Sequence, residues 1–395
     1  MKKRLAALAM TAVMSVGALA GCGTEGTPAT TGGEGGSSAT LKIGGIGPTT
    51  GPAAIYGSDV RDAISIAVDE INAAGGINGM QIEYKFEDDE HNAEKSVNAY
   101  NSLKDWGMQM LIGSVTSGPC IAVSEKSKED NMFQLTPSGT AVQCVQYDNA
   151  FRVCFSDPNQ GAASAQYIAD GALKDKAIGI IYDSSTEYST GIHDSFVSKA
   201  GELGLTIVSD QSFTADSATD FTAQLQSVQG AGADLLFLPI YYTEASLILQ
   251  QSDTMGYKPI YFGVDGMDGI LEVENFDTSL AEGVYLLTPF SATAEDELTK
   301  NFVTKFQEKT GHVPNQFGAD AYDAVYIIKK VAEEQGITAD MSISDMCDKM
   351  KAGMATVTID NVLTSPTTIT WTADGEPNKD PRAVIIQNGV YVLAE

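Results

Sequence analysis

Short apolar runs alternate with amphipathic stretches along most of this chain, and many of them end in turns rich in polar residues. The clearest example begins with an apolar run at 108–113, which predicts a buried strand. A helix is predicted over about 119–128, because proline favours the first turn of a helix. A second apolar run at 132–135 leads into a turn at 136–140 that carries three hydroxyl side chains. At the carboxyl ends of neighbouring parallel strands, such hydroxyls and the free N–H groups of the helix predict a site for a small anion such as a carboxylate.

The same alternation predicts the fold class. Strands are predicted at 41–46, 81–86, 108–113, 132–135, 177–182, 205–208, 233–240, 259–262 and 283–287, with further strands in the tail 367–394. Helices are predicted at about 59–74, 92–106, 119–128, 160–173, 191–203, 220–229, 243–255, 295–309, 320–334 and 343–350, the first of them capped by Ser58. Strands separated by helices indicate an α/β protein with parallel sheets. The pattern restarts after Asp157 and Pro158, which indicates a second α/β unit.

The first forty residues have a different pattern. Three basic residues at 2–4 precede an apolar run at 5–19, which is typical of a signal peptide over 1–21. The run ends in Leu-Ala-Gly-Cys, which resembles the bacterial lipobox, so Cys22 is predicted to carry a lipid. An ordinary secretory signal with a nearby cysteine stays the alternative. Residues 22–40 are predicted to be the lipidated cysteine and a flexible tether, because 23–39 hold no large apolar residue.

Composition narrows the functional classes. The 395 residues suffice for two domains, and 43% hydrophobic with 19% charged residues is typical of a globular chain. The formal net charge of −28 argues against binding to nucleic acid or to an anionic membrane surface. A soluble domain in an external compartment fits this balance.

The sequence lacks the motifs of the common enzyme classes. Its three histidines, His91, His193 and His312, lie far apart, have no metal-ligand spacing and are expected to be solvated surface residues. No nucleophile-elbow or P-loop motif occurs. The sequence therefore predicts neither an enzyme, nor a metal site, nor a cofactor.

Beyond Cys22 the chain holds four cysteines, which allow three ways of forming two disulfides. Cys144 and Cys154 flank a plausible turn and are the preferred bridge, whereas Cys120 and Cys347 have no obvious partner. Free thiols stay an alternative, because an exported protein of an anaerobe need not meet an oxidant.

Several segments together resemble the branched-chain amino-acid-binding proteins of the leucine/isoleucine/valine type, the solute receptors of ABC importers. The similarity covers about 41–392. The segments that carry it are GPTTGPAAIYG, AVDEINAAGGINGMQIE, IGSVTSG, LTPSGT, DFTAQLQSVQGAGADLLFLP, FGVDG and ADAYDAVYII, in this order. Any one of them alone is weak evidence, but their order and spacing are specific.

The resemblance implies a type I periplasmic binding fold, with two doubly wound lobes joined by a three-strand hinge. Lobe 1 is expected to comprise 41–157 and 289–368, and lobe 2 to comprise 158–288 and 369–395. An amino acid, branched-chain, otherwise neutral or a related amide, would bind between the lobes and close them. The resemblance further implies a monomer that is anchored through Cys22 on the outer face of the cell membrane and serves an ABC permease. The alternative is a sensory module that reports the ligand to a membrane signalling protein.

The resemblance also implies the ligand contacts of lobe 1. The hydroxyl and N–H groups of Ser117 and Thr140 would hold the α-carboxylate, and the carbonyl of Ser138 would accept from the α-ammonium. Tyr56 matches a tyrosine of the first loop. The disulfide that the best-known members carry near this loop is missing, because Thr116 replaces one of its cysteines.

Lobe 2 is expected to contribute aromatic residues and an acid. Tyr188 and Tyr241 match the two aromatic residues that this lobe brings to the ligand. Asp265 stands where the family commonly has a glutamate that pairs with the α-ammonium. The acid is therefore kept, but its side chain is one methylene shorter.

Overall fold

The computed structural model describes residues 40–365 and 368–394, which form two β-sheets covered by helices. The strands are β1 Thr40–Gly47, β2 Gln81–Asp88, β3 Met110–Ile112, β4 Gln134–Thr136, β5 Ala150–Arg152, β6 Ala177–Asp183, β7 Thr206–Phe213, β8 Leu235–Leu238, β9 Ile260–Gly263, β10 Tyr285–Thr288, β11 Arg382–Gln387 and β12 Val390–Leu393. The α-helices are α1 Ala54–Ala73, α2 Ala93–Trp106, α3 Ser117–Glu129, α4 Asp157–Asp170, α5 Glu187–Leu203, α6 Thr222–Gly230, α7 Tyr242–Thr254, α8 Glu297–Thr310, α9 Gln316–Glu334 and α10 Ile343–Met354.

The first sheet has five parallel strands in the order β2-β1-β3-β4-β5. Parallel pairing places all their carboxyl ends at one edge, so the loops after β1, β3 and β4 are neighbours. Every residue of β3 and β4 is buried, as expected for strands covered on both faces. We define lobe 1 as this sheet together with α1–α3 and α8–α10. Within it, α1 packs on α8 and α9.

The second sheet has seven strands in the order β12-β11-β10-β9-β8-β6-β7. Strands β6 to β10 run parallel, and β11 pairs in an antiparallel sense with both β10 and β12. Asn388 and Gly389 turn the β11–β12 hairpin, and both have positive φ, as a tight hairpin turn requires. We use lobe 2 for this sheet with α4–α7. The predicted α/β class with two parallel-stranded sheets is confirmed, with this hairpin added at one edge.

Several helices begin earlier than the sequence pattern predicts, with α1, α5 and α9 early by about four residues or more. Ser58 was expected to cap α1 but lies inside it, and the cap residue Ala53 has no side-chain hydrogen bond. Instead, Ile55 N donates to the hydroxyl of Tyr242 from lobe 2 at 3.2 Å. Asn315 caps α9 by accepting from a backbone N–H, so this helix begins four residues before its predicted start. A contact from a residue distant in sequence, as at α1, leaves no local signal.

A buried ion pair fixes the chain where it enters lobe 2 for the last time. Lys379 Nζ donates to Asp320 Oδ1 at 2.6 Å and to Thr364 Oγ1 at 2.5 Å. Both charged side chains are 1% exposed. Asp320 belongs to α9 of lobe 1, whereas the segment after Lys379 continues into β11 of lobe 2. Because a buried charge without its partner costs several kcal/mol, this pair holds the connecting segment in one path.

The chain passes between the lobes three times: after β5, after β10 and before β11. The exact division into 41–157 with 289–368 and 158–288 with 369–395 stays a prediction. The predicted signal peptide, the lipid site at Cys22 and the tether lie outside the described residues. Within 40–365 and 368–394, none of the helices has the length and apolar character needed to cross a bilayer.

Candidate functional site

The predicted carboxylate end lies where β3 and β4 stop. Ser117 is the first residue of α3, so N–H groups of its first turn have no partner within the helix. Ser117 Oγ lies 3.5 Å from Thr140 Oγ1 and accepts a hydrogen bond from Ala141 N at 3.2 Å. Hydroxyls and helix N–H groups therefore converge from two neighbouring loops. This donor set can hold a small anion.

A buried guanidinium holds the second of these loops in place. Arg152 is the last residue of β5, the strand that pairs with β4, and it is fully buried. Its Nη1 donates to the carbonyls of Gly139, at 2.9 Å, and Thr140, and its Nη2 donates to Ala141 O at 2.9 Å. Glu376 Oε1 lies 3.2 Å from Nη2 and supplies the opposing charge. Because three successive carbonyls point at one cation, the N–H and hydroxyl side of the loop faces away from it.

The end of lobe 2 that faces this loop presents an acid and stacked aromatic rings. Tyr188 OH donates to Asp265 Oδ1 at 2.7 Å and accepts from Gly266 N at 3.0 Å. The rings of Tyr188 and Tyr241 stack with centroids 4.5 Å apart. Asp265 N donates to Gln160 Oε1 at 3.1 Å, so the backbone at Asp265 is tied to α4. The acid is thus fixed in position by groups from α4 and α5.

Tyr56 and Phe317 complete the aromatic surroundings. Tyr56 OH donates to Gly266 O at 2.5 Å, which joins α1 of lobe 1 to lobe 2. Its ring contacts Phe317 at 4.7 Å and Tyr241 at 5.6 Å between centroids. The sequence analysis missed Phe317. The only signal for it was its place in the first turn of α9, and the predicted start of that helix was four residues too late.

Six of the seven predicted ligand residues line one cavity between the lobes. The lining residues are Tyr56, Val115, Thr116, Ser138, Thr140, Tyr188, Tyr241, Asp265 and Phe317. Ser117 is joined to this group through Thr140. The cavity measures about 10 Å³, which is room for one water at most and far too little for an amino acid. The lobes are therefore closed on each other, and a molecule as large as an amino acid can enter only if they separate.

One buried acid lines the cavity, and a second lies near it. Burial raises the pKa of Asp265 to about 7, although the hydrogen bonds from Tyr188 and Gln160 oppose this shift. Burial and the nearby negative charge of Asp265 raise the pKa of Asp157 well above its ordinary value, although the Thr140 hydroxyl opposes this shift. Neither carboxyl oxygen of Asp157 makes a hydrogen bond of good geometry within the described part of the chain. A cationic group in the cavity would stabilise the ionised form of Asp265.

His91 is a second residue that the sequence analysis did not assign to the site. Its Nδ1 lies 2.8 Å from Thr116 Oγ1, and its ring meets Tyr241 of lobe 2 edge-on at 5.4 Å. Burial lowers its pKa, so the neutral imidazole is favoured. Thr116 stands where the resemblance implies one cysteine of a disulfide. In this chain a hydrogen bond to His91 joins the two loops there instead.

The preferred disulfide was wrong. All four described cysteines are free thiols. Cys144 packs against Cys120 and Ala141 in a small apolar cluster, whereas Cys154, beyond the end of β5, lies outside that cluster. Spacing along the chain pointed to Cys154, but the 3₁₀ turn Val142–Val145 directs Cys144 toward α3.

The histidines are less exposed than expected, and none of them belongs to a metal site. His193 lies between Asp194 and Asp210, and His312 contacts Asp59 at 2.9 Å. Over 40–365 and 368–394, no three His, Cys, Asp or Glu side chains form a group that could hold a metal ion.

Comparison with known proteins agrees with this architecture. The family model described as periplasmic binding protein matches residues 40–389. The Leu/Ile/Val-binding protein homolog 3 of Brucella melitensis is 30% identical over 305 residues, which are 76% of this chain and 81% of that protein. The leucine-, isoleucine-, valine-, threonine-, and alanine-binding protein of Pseudomonas aeruginosa is 28% identical, over 75% of this chain and 79% of its own length.

Two solved structures are similar over 90% of this chain. The leucine binding protein LivK of Thermotoga maritima has a TM-score of 0.80 and 26% identity, and 98% of it is covered. The substrate binding protein LivJ of Streptococcus pneumoniae, a branched-chain amino acid transporter component solved with isoleucine, has a TM-score of 0.80 and 28% identity, and 99% of it is covered.

The raised pKa of Asp265 predicts how stability without ligand depends on pH. The folded protein keeps this proton up to about pH 7, whereas the unfolded chain loses it near pH 4. The contribution of Asp265 to the free energy of unfolding therefore falls as pH rises from 4 to 7. Asp265→Asn removes this loss, so the variant should gain up to about 4 kcal/mol on the wild type above pH 7 and little near pH 4.

Thermal unfolding of both proteins between pH 4 and pH 8 measures this difference. Asp253→Asn, at a surface acid paired with Lys258, is the matched control and should show no such trend. A stability difference for Asp265→Asn that stays constant over the whole range would contradict a buried, proton-binding Asp265.

Proposed function

Because the chain belongs to the periplasmic binding protein family and is similar to its Leu/Ile/Val-binding members, we propose that it is the solute receptor of an ABC importer and captures an amino acid between its lobes. Its relatives are binding proteins and not enzymes. The ligand is a branched-chain or another neutral amino acid. The names of the relatives support this class, because they describe proteins that bind leucine, isoleucine and valine, one of which also binds threonine and alanine.

The proposal rests on one observation. One end of the closed cavity offers hydrogen-bond donors for a negative group, and the other end offers an acid for a positive group. Lobe 1 offers the hydroxyls of Ser117 and Thr140 with the first turn of α3. Lobe 2 offers the carboxyl of Asp265, 2% exposed and without a cationic partner in the described chain. A zwitterion satisfies both ends, because its carboxylate takes the N–H and O–H donors and its ammonium takes the acid.

The cavity walls between the two ends suit a neutral side chain. Tyr56, Tyr188, Tyr241 and Phe317 are aromatic, and the hydroxyls of Tyr56 and Tyr188 are held by protein partners such as Gly266. No lysine or arginine lines this cavity among the described residues. An acidic ligand side chain would find no cation there, so neutral amino acids are favoured over aspartate and glutamate.

We further propose that the receptor works at the outer face of the cell membrane. Lipidation of Cys22 would anchor it, and the stretch to residue 40 would let the lobes reach the permease. Membership of a family of extracytoplasmic receptors supports this location. The protein acts as a monomer in this proposal and delivers its ligand to ABC permease subunits in the same membrane.

The first prediction concerns affinity. Asp265→Asn keeps the shape of the side chain and removes the charge that would face the ammonium. Leaving one partner of a buried charge pair unpaired costs about 2–5 kcal/mol, so the affinity for leucine should fall about 30-fold to several thousand-fold. Thr140→Ala should cost about 1–3 kcal/mol, because backbone donors remain.

Isothermal titration at pH 8 compares the two variants with the wild type and with the surface control Asp253→Asn, which should bind normally. Binding by Asp265→Asn within about twofold of the wild type would remove Asp265 from the site. Loss of binding in the control as well would point to a folding defect.

The second prediction concerns closure. If the lobes move about the three crossovers, the ligand-free protein samples an open form and leucine shifts it to the closed one. Small-angle scattering should then show a smaller radius of gyration at saturating leucine. Asp265→Asn at the same leucine concentration should keep the larger value, and an unchanged wild-type profile would count against a hinged receptor.

The third prediction concerns the anchor. Cys22→Ala removes the thiol that the lipid would modify, so the variant should leave the membrane fraction. Fractionation of cells with an antibody against the receptor measures this, and Cys347→Ala is the matched control that should stay with the membrane. A Cys22→Ala protein that still sediments with membranes, and whose precursor is still cut at the same bond, would refute lipidation.

A further inference from the structure

Two buried thiols that ligand binding does not use lie directly beneath the predicted carboxylate end. Cys120 is in the first turn of α3, and Cys144 is in the 3₁₀ turn Val142–Val145. Both are fully buried, and they pack together with Ala141 in a cluster separate from the main core. The two thiols are close enough that each shifts the pKa of the other. Neighbouring thiols of this kind can form a disulfide once their sulfur atoms approach to bonding distance.

Both sulfur atoms contact the residues that present the anion donors. Cys144 Sγ donates to the carbonyl of Ser117 at 3.7 Å. A Cβ built at Gly139 would lie only 2.9 Å from Cys120 Sγ, so this sulfur packs against the backbone next to Thr140. Any change in the positions of the two sulfur atoms is therefore passed to Ser117 and Thr140.

The surroundings divide the two thiols into a more acidic and a less acidic partner. Gln134 Nε2 donates to Cys120 Sγ at 3.5 Å. Burial raises the pKa of the Cys120 thiol, but the neighbouring Cys144 and Thr136 side chains and the positive charge of Arg152 outweigh this and hold that pKa below its ordinary value. Burial raises the pKa of Cys144 well above its ordinary value. Cys120 is thus the thiol better suited to attack a disulfide.

The 3₁₀ turn gives a route to these sulfur atoms. Val142 is 48% exposed, so the turn that carries Cys144 lies at the surface although its cysteine points inward. Short surface elements open locally at a smaller cost than the unfolding of the whole domain. A small oxidant can therefore reach the pair during such openings.

We propose that Cys120 and Cys144 are a reversible dithiol–disulfide site that lowers the affinity of the neighbouring ligand site when it is oxidised. The Cys120 thiolate attacks a sulfur of a low-molecular-weight disulfide and releases one small thiolate, which takes up a proton. Cys144 then loses its proton to solvent, attacks the Cys120 sulfur of the mixed disulfide and releases the second small thiolate. Two protein thiols are oxidised and one small disulfide is reduced to two thiols.

The loss of affinity follows from the length of the new bond. A disulfide holds its sulfur atoms about 2.0 Å apart, closer than the sulfur atoms of two thiols that are not bonded to each other. The 3₁₀ turn must then move toward α3, and Ser117 and Thr140 move with it. Because hydrogen bonds to a carboxylate weaken steeply with misalignment, we expect affinity for leucine to fall at least tenfold. This consequence rests on the proposed function, whereas formation of the disulfide does not.

The test treats the full-length protein with oxidised glutathione and maps its disulfides by peptide mass analysis. The expected product is a peptide pair joined through Cys120 and Cys144, with two free thiols lost and both recovered after dithiothreitol. Cys154→Ser is the matched control and should form the same bridge, whereas Cys144→Ser and Cys144→Ala should not form it. Finding no Cys120–Cys144 bridge in the wild type overturns the proposal.

Titration with leucine before oxidation, after oxidation and after reduction tests the consequence. A tenfold or greater loss that dithiothreitol reverses, and that Cys144→Ala does not show, supports it. A mapped bridge with unchanged affinity overturns the coupling between the thiols and the site. Failure of the reduced wild type to bind any neutral amino acid counts against the proposed function, while the peptide map still decides whether the disulfide site exists.

Discussion

The geometry of the predicted carboxylate end depends on the buried guanidinium of Arg152. Its N–H groups take the carbonyls of Gly139, Thr140 and Ala141, so this loop has one orientation. The backbone carbonyl of Arg152 also accepts a hydrogen bond from Trp371 Nε1 at 2.7 Å, and Glu376 pairs with the side chain of Arg152. The same residue therefore joins the site loop to the segment that crosses into lobe 2. Removing it would leave Gly139 O without this donor, leave Thr140 O and Ala141 O with only their backbone donors Asp157 N and Cys144 N, and leave Glu376 without its opposing charge.

The two lobes meet through unequal polar surfaces, and this follows from the direction of the strands. Carboxyl ends of parallel strands face the cleft in both sheets, but they lead into different structures. β3 leads directly into α3, which exposes N–H donors, whereas β9 leads into the 3₁₀ turn at Asp265, which exposes a carboxyl group. A donor-rich surface therefore faces an acidic one across the cleft.

Much of this arrangement was readable from local sequence, and the exceptions share one cause. Ser138 and Thr140 follow a predicted strand, so the strand pattern placed them at the edge of a sheet, whereas Tyr188 and Asp265 were assigned to the site by the family resemblance. Phe317 and His91 reach the cavity from a helix start and a loop that have no periodic signal of their own. The partner of Cys144 and the cap of α1 are likewise set by residues from other elements. Long-range contacts of this kind cannot be predicted from the spacing of residues along the chain.

The closed cleft also explains why closure should depend on a ligand in the proposed receptor. If the lobes open and close as proposed, closure without a ligand would transfer Asp265 from water to a site where burial raises its pKa. That transfer would cost free energy above the ordinary pKa of the acid, since the closed state must either bury a charge or bind a proton. An ammonium group in the cavity would remove most of this cost. In the proposed receptor Asp265 would thus favour the open form until a cationic group arrives, and the ligand would shift the equilibrium by the free energy with which it pairs with the acid.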